Sequence, residues 1–137
     1  MARSIAEGVG GRMGAVDEDP TPPGSTKFWA AAEHLVATSL IVIDRPKGST
    51  HPRIPEAIYP VAYGYLEGTS AGDGEGIDVW VGSVTPRTIT GVVCTFDMRK
   101  RDAELKLLLG CTSAETVAIV SFLNKGQMAA ILIPKDG

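Results

Sequence analysis

Ile89–Leu109, ITGVVCTFDMRKRDAELKLLL, decides the fold of this chain. Two β-rich runs, Ile89 to Phe96 and Ala103 to Leu109, flank the short loop Met98-Arg99-Lys100-Arg101, the pattern of a hairpin connection. Pairing Asp97 with Asp102 across that loop sets Cys94 opposite Leu105 and Val92 opposite Leu107 on one face. Thr95 then meets Glu104, and Val93 meets Lys106, on the other. The expectation is an apolar core face and a more polar face. The same register separates Cys94 from Cys111 by roughly 20 Å, beyond disulfide reach. Two cysteines are too few for a disulfide scaffold and too widely spaced for a CxxC site, so both read as ordinary buried thiols.

After the hairpin, Thr112 with Glu115 forms a capping-box pattern, Val117, Ile119, Val120, Phe122 and Leu123 give an apolar stripe, and Gly126 reads as the helix stop. Met128 to Ile133 is then a final strand. Before the hairpin, Ile77, Val79 and Val81 alternate with Asp78 and Trp80 as a strand does, and Leu40 to Ile43 is a β-rich run ended by Pro46. Phe28, Trp29, Ala32, Leu35 and Val36 recur at helical spacing, with Ser25 or Thr26 as cap and His34 on the surface. The first 26 residues, Gly-rich and ending in a Pro-rich run, read as a mobile tail. The expected fold class is therefore mainly β with flanking helices, as one domain over 27–137.

With 44% hydrophobic and 21% charged residues the composition is that of an ordinary globular domain. No apolar run approaches bilayer length and residues 1–14 lack the apolar stretch of a secretory signal, so the expected location is cytoplasmic. A net charge of −3 gives no overall attraction to nucleic acid or to an anionic membrane. Phosphate binding on such a chain requires a local basic patch or a metal. An oligonucleotide-binding role is disfavoured further because aromatic residues do not alternate with basic ones.

Two acidic stretches carry the chemistry. Asp97 facing Asp102 places like charges opposite each other, which repels unless a cation intervenes. Arg99, Lys100 and Arg101 in the loop are the simplest counter-charges, and surface pairs of that kind are worth little. The second stretch, Asp73-Gly74-Glu75-Gly76-Ile77-Asp78-Val79, reads either as an acidic turn or as a ligand set. It does not follow the EF-hand pattern. A turn that enters a strand at its second Asp holds that carboxylate rigidly, which suits Mg²⁺, a hard ion wanting oxygen ligands in near-octahedral geometry.

These residues, with Tyr59-Pro60-Val61-Ala62-Tyr63-Gly64-Tyr65, Gly68-Thr69 and Ile43-Asp44-Arg45-Pro46-Lys47-Gly48-Ser49, resemble in order and spacing the soluble inorganic pyrophosphatases, over roughly Leu40 to Leu109. The resemblance implies an OB-like five-stranded barrel and Mg²⁺-dependent hydrolysis of pyrophosphate or a related phosphoanhydride. It implies that Asp73, Asp78 and Asp102 ligate the primary metal pair, that Asp97 joins Asp102 on a further ion, and that Glu75 with Asp78 serves catalysis. Asp44, Lys47, Arg53, Tyr63 and Lys106 fall at or near its substrate-binding positions. Bridging metals of this kind make a nucleophilic hydroxide at neutral pH and stabilise an in-line displacement.

The chain departs from the family pattern at several points. Glu75 stands where the middle acid is Asp, Gly76 where Pro is usual, and Glu104 where a Lys follows the last Asp. Lys106, one rung further on the same strand face, is placed to replace that charge. The segment between Arg53 and Tyr59 is short, and the C-terminal Tyr-Lys pair has no counterpart. His51 and Lys47 lie near the opening, either as solvated loop residues or as compensating charges. A shift of about 1 Å in a catalytic base can lower the rate on the order of a hundredfold, so a non-catalytic metal- or phosphate-binding module is the competing reading. A domain this small with exposed apolar surface is also expected to self-associate.

Overall fold

The computed structural model describes residues 25–135. The proposed tail lies outside the described residues, apart from Ser25 and Thr26. In chain order the elements are α1 (Ser25–Ala37), β1 (Ile41–Arg45), β2 (Ala62–Leu66), β3 (Ile77–Val81), β4 (Ile89–Asp97), β5 (Asp102–Leu109), α2 (Ser113–Leu123) and β6 (Met128–Pro134). The chain divides into two compact units inside α1, after Ala30. In the first, Phe28 meets Trp29 edge-on at 5.1 Å. The second holds the rest of α1, where Glu33 pairs with Lys135 at 2.9 Å, and all six strands.

The strands form one sheet in the order β1-β2-β3-β5-β4-β6. The β4–β5 register is the expected one, from Val92↔Leu107 through Cys94↔Leu105 to Asp97↔Asp102. β3 runs parallel to β5, aligning Asp78 with Lys106 and Trp80 with Leu108. The five-stranded barrel is not what forms: there are six strands, and among the described residues β1 and β6 do not pair, so the sheet stays open. Closure requires long, tilted, staggered edge strands. β1 has five residues and stops at Pro46, which lacks the N–H to continue a ladder.

The assignment of faces is also corrected. The face carrying Val93 and Lys106, read as polar, holds the main core cluster of Tyr59, Val61, Trp80, Val93, Leu108, Cys111, Ile119 and Leu123. α2 supplies Ile119 and Leu123 to it and sets Phe122 at 5.0 Å from Tyr59 and 5.7 Å from Trp80. The other face buries Leu66, Val79, Val92 and Leu107. On it Leu105 is exposed and Cys94 only half-buried; both cysteines are free, and Cys111 is buried as read.

α2 is fixed at both ends by side chains. Thr112 Oγ1 accepts from Glu115 N at 3.1 Å while Glu115 Oε1 accepts from Thr112 N at 2.8 Å, the reciprocal capping box read from the sequence. Glu115 also accepts from Ser83 N, tying the helix to the β3–β4 loop. That approach needs Gly82, since a Cβ there would run into Glu115 and the Gly110 carbonyl. The helix stop is Asn124 rather than Gly126: its amide donates to the Val120 and Ala130 carbonyls and accepts from Ala130 N.

Candidate functional site

The registers place the polar side chains on one face. Tyr65 pairs with Asp78 across β2–β3, and Tyr63 with Trp80. Asp78 aligns with Lys106 across β3–β5, and Glu104 and Asp102 follow on the same side of β5 by strand alternation. Asp97, opposite Asp102, shares that side. β2 approaches β1 closely enough there that a Cβ at Gly64 would overlap the Val42 carbonyl. Between Ile43 and Arg45 the register slips, so that Asp44 is the extra residue of a bulge and Arg45 faces Tyr63.

Lys106 is the centre of this face. Its side chain is 6% exposed, and its ammonium donates to Asp78 Oδ2 at 3.0 Å, Glu104 Oε1 at 2.7 Å and Tyr63 Oη at 2.9 Å. Three donors meet three acceptors, so the buried charge is fully satisfied. Burial pulls its pKa down, but Tyr63 and the Asp78 and Glu104 carboxylates outweigh that, and the net shift is upward. Lys106 is a fixed cation. Burial, aided by Asp78 and opposed by Lys106, raises the Tyr63 pKa, so its hydroxyl stays a neutral donor.

Asp73, Asp78 and Glu104 line one open hollow of about 470 Å³ together with Ser70, Gly72 and Thr95, and the rest of its wall is largely apolar, from Ile77, Cys94, Phe96 and Leu105 on the sheet face opposite Lys106. Asp73 sits on a tight turn in which its Oδ1 accepts from Glu75 N at 2.9 Å and Gly74 takes a φ of 86°. Thr69 Oγ1 holds this loop to β3 by accepting from Ile77 N and donating to the Leu66 carbonyl. Glu75 is exposed on the turn beside Asp73 and does not line the hollow.

Asp97 and Asp102 are placed differently. Asp97 Oδ1 accepts from Arg99 N and Lys100 N at 3.0 and 3.1 Å, and the Lys100 N–H first and then that of Arg99 hold its carboxyl below the usual range. Backbone amides answer its charge first, and the charges of Lys100 and Arg99 add to them. Asp102 is exposed and lies four residues along β5 from Lys106, roughly 13 Å by strand rise, outside the hollow. Asp44 is exposed at the bulge, and Lys47 and Arg53 are exposed on the loop after β1. Among the described residues no three His, Cys, Asp or Glu side chains form a ready-made metal cage.

Mg²⁺ asks for less than such a cage, since it keeps several waters and is commonly held by one or two carboxylates plus substrate phosphates. Two residues were misjudged or missed in the sequence. Glu104 looked like a lost positive charge and is the closest partner of Lys106. Arg45 was given no role in the sequence, and the bulge sets it opposite Tyr63. A bulge leaves no signature in period-2 alternation.

The fold is similar to that of solved proteins. An inorganic pyrophosphatase from Coxiella burnetii superposes over 70% of this chain and 84% of its own, with a TM-score of 0.50 and 17% identity. One from Neisseria gonorrhoeae superposes over 65% and 77%, with a TM-score of 0.52 and 18% identity. The chain has a pyrophosphatase-like fold. At such identity the likeness is one of fold, and neither a protein-family model nor a curated protein matches the sequence. Among the described residues no helix is long and apolar enough to cross a membrane.

Proposed function

We propose that this protein hydrolyses the anhydride bond of pyrophosphate, or of a related phosphoanhydride, with Mg²⁺ held by Asp73 and Asp78. The observation that carries the reading is the shared hollow of Asp73, Asp78 and Glu104 on a pyrophosphatase-like sheet, with the Asp78 and Glu104 carboxylates both bonded to the Lys106 ammonium. The ion, when bound, supplies charge neutralisation of the phosphoryl oxygens and lowers the pKa of a water. Asp102 and Asp97 lie beyond the hollow and are assigned an outer ion, with Asp97 the weaker ligand because its Oδ1 already serves two amides.

Lys106 binds the substrate's charge. Its ammonium turns from Asp78 to a phosphoryl oxygen, and Tyr63 Oη donates to a second oxygen; both are dry enough for such bonds to be strong. Glu75, outside the hollow on the turn beside Asp73, is assigned to take the proton of the attacking water from the rim, and the leaving phosphate departs with its bonding electron pair. Arg53, Lys47 and Asp44, at the rim, orient the distal phosphate. The exposed row Phe96, Ile131 and Ile133 on β4 and β6 is assigned to self-association, and the location to the cytoplasm.

The competing reading, a binding module without turnover, is favoured by one feature: Asp78 is already neutralised by Lys106 at 3.0 Å. Phosphorus NMR of pyrophosphate incubated with protein and Mg²⁺ separates the two. Conversion to phosphate, abolished in Asp78→Asn, supports hydrolysis. Pyrophosphate that binds calorimetrically yet stays intact for hours establishes the module instead.

A further inference from the structure

The basic residues at the β1 end of the sheet have no acidic partners. Among the described residues every ion pair involves Lys106 or Lys135, which leaves Arg45 and Arg53 without a salt bridge. Arg45 is half-buried, and its Nε is shielded from solvent with no hydrogen-bond partner. Its other contact, Nη1 to the Asp44 carbonyl at 3.4 Å, is long for a hydrogen bond. A buried guanidinium donor is costly to leave unsatisfied, and a planar fork of this kind matches phosphate oxygens two at a time.

His51 completes the neighbourhood. Its Nδ1 accepts from Arg53 N at 3.0 Å, which fixes the neutral ring with its proton on Nε2, a free donor. The ring stacks on Tyr59 at 6.3 Å with planes 3° apart, and Tyr59 lies 5.7 Å from Tyr63, the register partner of Arg45. Burial and then the charges of Arg45, Arg53 and Lys100 lower its pKa, as expected where positive charge is uncompensated.

We propose that Arg45, set onto this face by the Asp44 bulge, forms with His51 and Arg53 an oxyanion subsite that takes a phosphoryl group. It deepens the pyrophosphatase reading, on which it rests, by giving the distal phosphate a clamp centred on Arg45, a residue outside the substrate-binding positions read from the sequence. It does not require the metal. Inorganic phosphate is therefore the probe, and pyrophosphate the second arm.

The test is proton NMR of the two histidines with phosphate titrated into Mg²⁺-free protein, His34 on α1 serving as the internal control. Phosphate is expected to raise the His51 pKa, because an adjacent anion favours the imidazolium, and to leave His34 unmoved. Arg45→Gln is expected to weaken phosphate at least tenfold, with Arg45→Lys intermediate because it keeps charge without the fork. In the absence of phosphate, Arg45→Gln should itself raise the His51 pKa. His51→Gln, monitored with circular dichroism for folding, gives an independent loss of affinity. Wild-type phosphate affinity in Arg45→Gln, or His51 resonances indifferent to phosphate, overturns the subsite. Turnover is read apart: Arg45-dependent phosphate binding without pyrophosphate hydrolysis keeps the subsite and removes the hydrolase reading. Unchanged KM for pyrophosphate in an active Arg45→Gln protein removes the subsite alone.

Discussion

Replacing Lys106 by Met keeps the buried stem and removes the ammonium, leaving Asp78 and Glu104 facing each other with no cation and Tyr63 Oη without its donor. Breaking a buried pair by deleting one partner costs about 3–5 kcal/mol. Both carboxylates keep 26% of their side-chain surface in water, so solvent recovers part of that and the expected loss is about 2 kcal/mol. For a domain of this size that is roughly 8 °C in the melting temperature. The sharper expectation concerns Mg²⁺. In the wild type the ion competes with an ammonium for Asp78, whereas in Lys106→Met it meets a vacated pair of acids. Mg²⁺ at a hundred times its Kd should return about 2.7 kcal/mol to the variant and visibly less to the wild type. Thermal and urea melts with and without Mg²⁺ make the comparison. A variant that melts like the wild type, or equal stabilisation of both by Mg²⁺, refutes the idea that Lys106 holds the place of a cation.

Glu115→Gln should cost about 1 kcal/mol at neutral pH, because the carboxylate caps α2 and holds Ser83. The Thr112 amide, with Ser83, lowers the Glu115 pKa below its unfolded value. Its contribution is therefore full above the ordinary Glu range and lost as pH falls through the lowered folded value, so wild type and variant should converge in acid melts. Gly64→Ala should destabilise by about 3 kcal/mol or prevent folding, since a Cβ meets the Val42 carbonyl backbone; a wild-type urea midpoint would show that β1 and β2 are not so close. Phe96→Ser with Ile131→Ser should shift light-scattering mass toward the monomer, and an unchanged mass would remove the assigned surface.

How much of this was legible in the sequence differs by element. The β4–β5 hairpin and α2 were readable because their signals are local: a short polar loop between alternating runs, and Thr112 with Glu115 three residues on. Arg101 at a φ of 61° closes that loop in the left-handed conformation that four-residue hairpin connections accommodate. The core face was misread because Lys106 interrupts it, and a lone lysine in a strand ordinarily marks the wet side. Burial there depends on acids from β3 and β5 and on α2 packing above. The parallel β3–β5 pairing and the open sheet are non-local, with no pattern in either strand to announce them.

The site was legible as residue types and less so as geometry. Asp78 and Lys106 converge because β3 and β5 are neighbours, a fact of topology. Asp97 and Asp102 sit at the turn end of the β4–β5 hairpin, where strand rise alone separates them from Asp78. Asp97's engagement by two loop amides follows from the turn conformation rather than from the loop's positive charges.

The central claim is that Asp73 and Asp78 together hold a divalent ion in the hollow they share. Crystals soaked with Mn²⁺ and phosphate, read by anomalous scattering, test it most directly. The account expects a Mn²⁺ peak within coordination distance of both carboxylates, with the Lys106 ammonium moved from Asp78 onto a phosphate oxygen. Lys106 still paired to Asp78, and manganese absent from the hollow at saturating concentration, would contradict it.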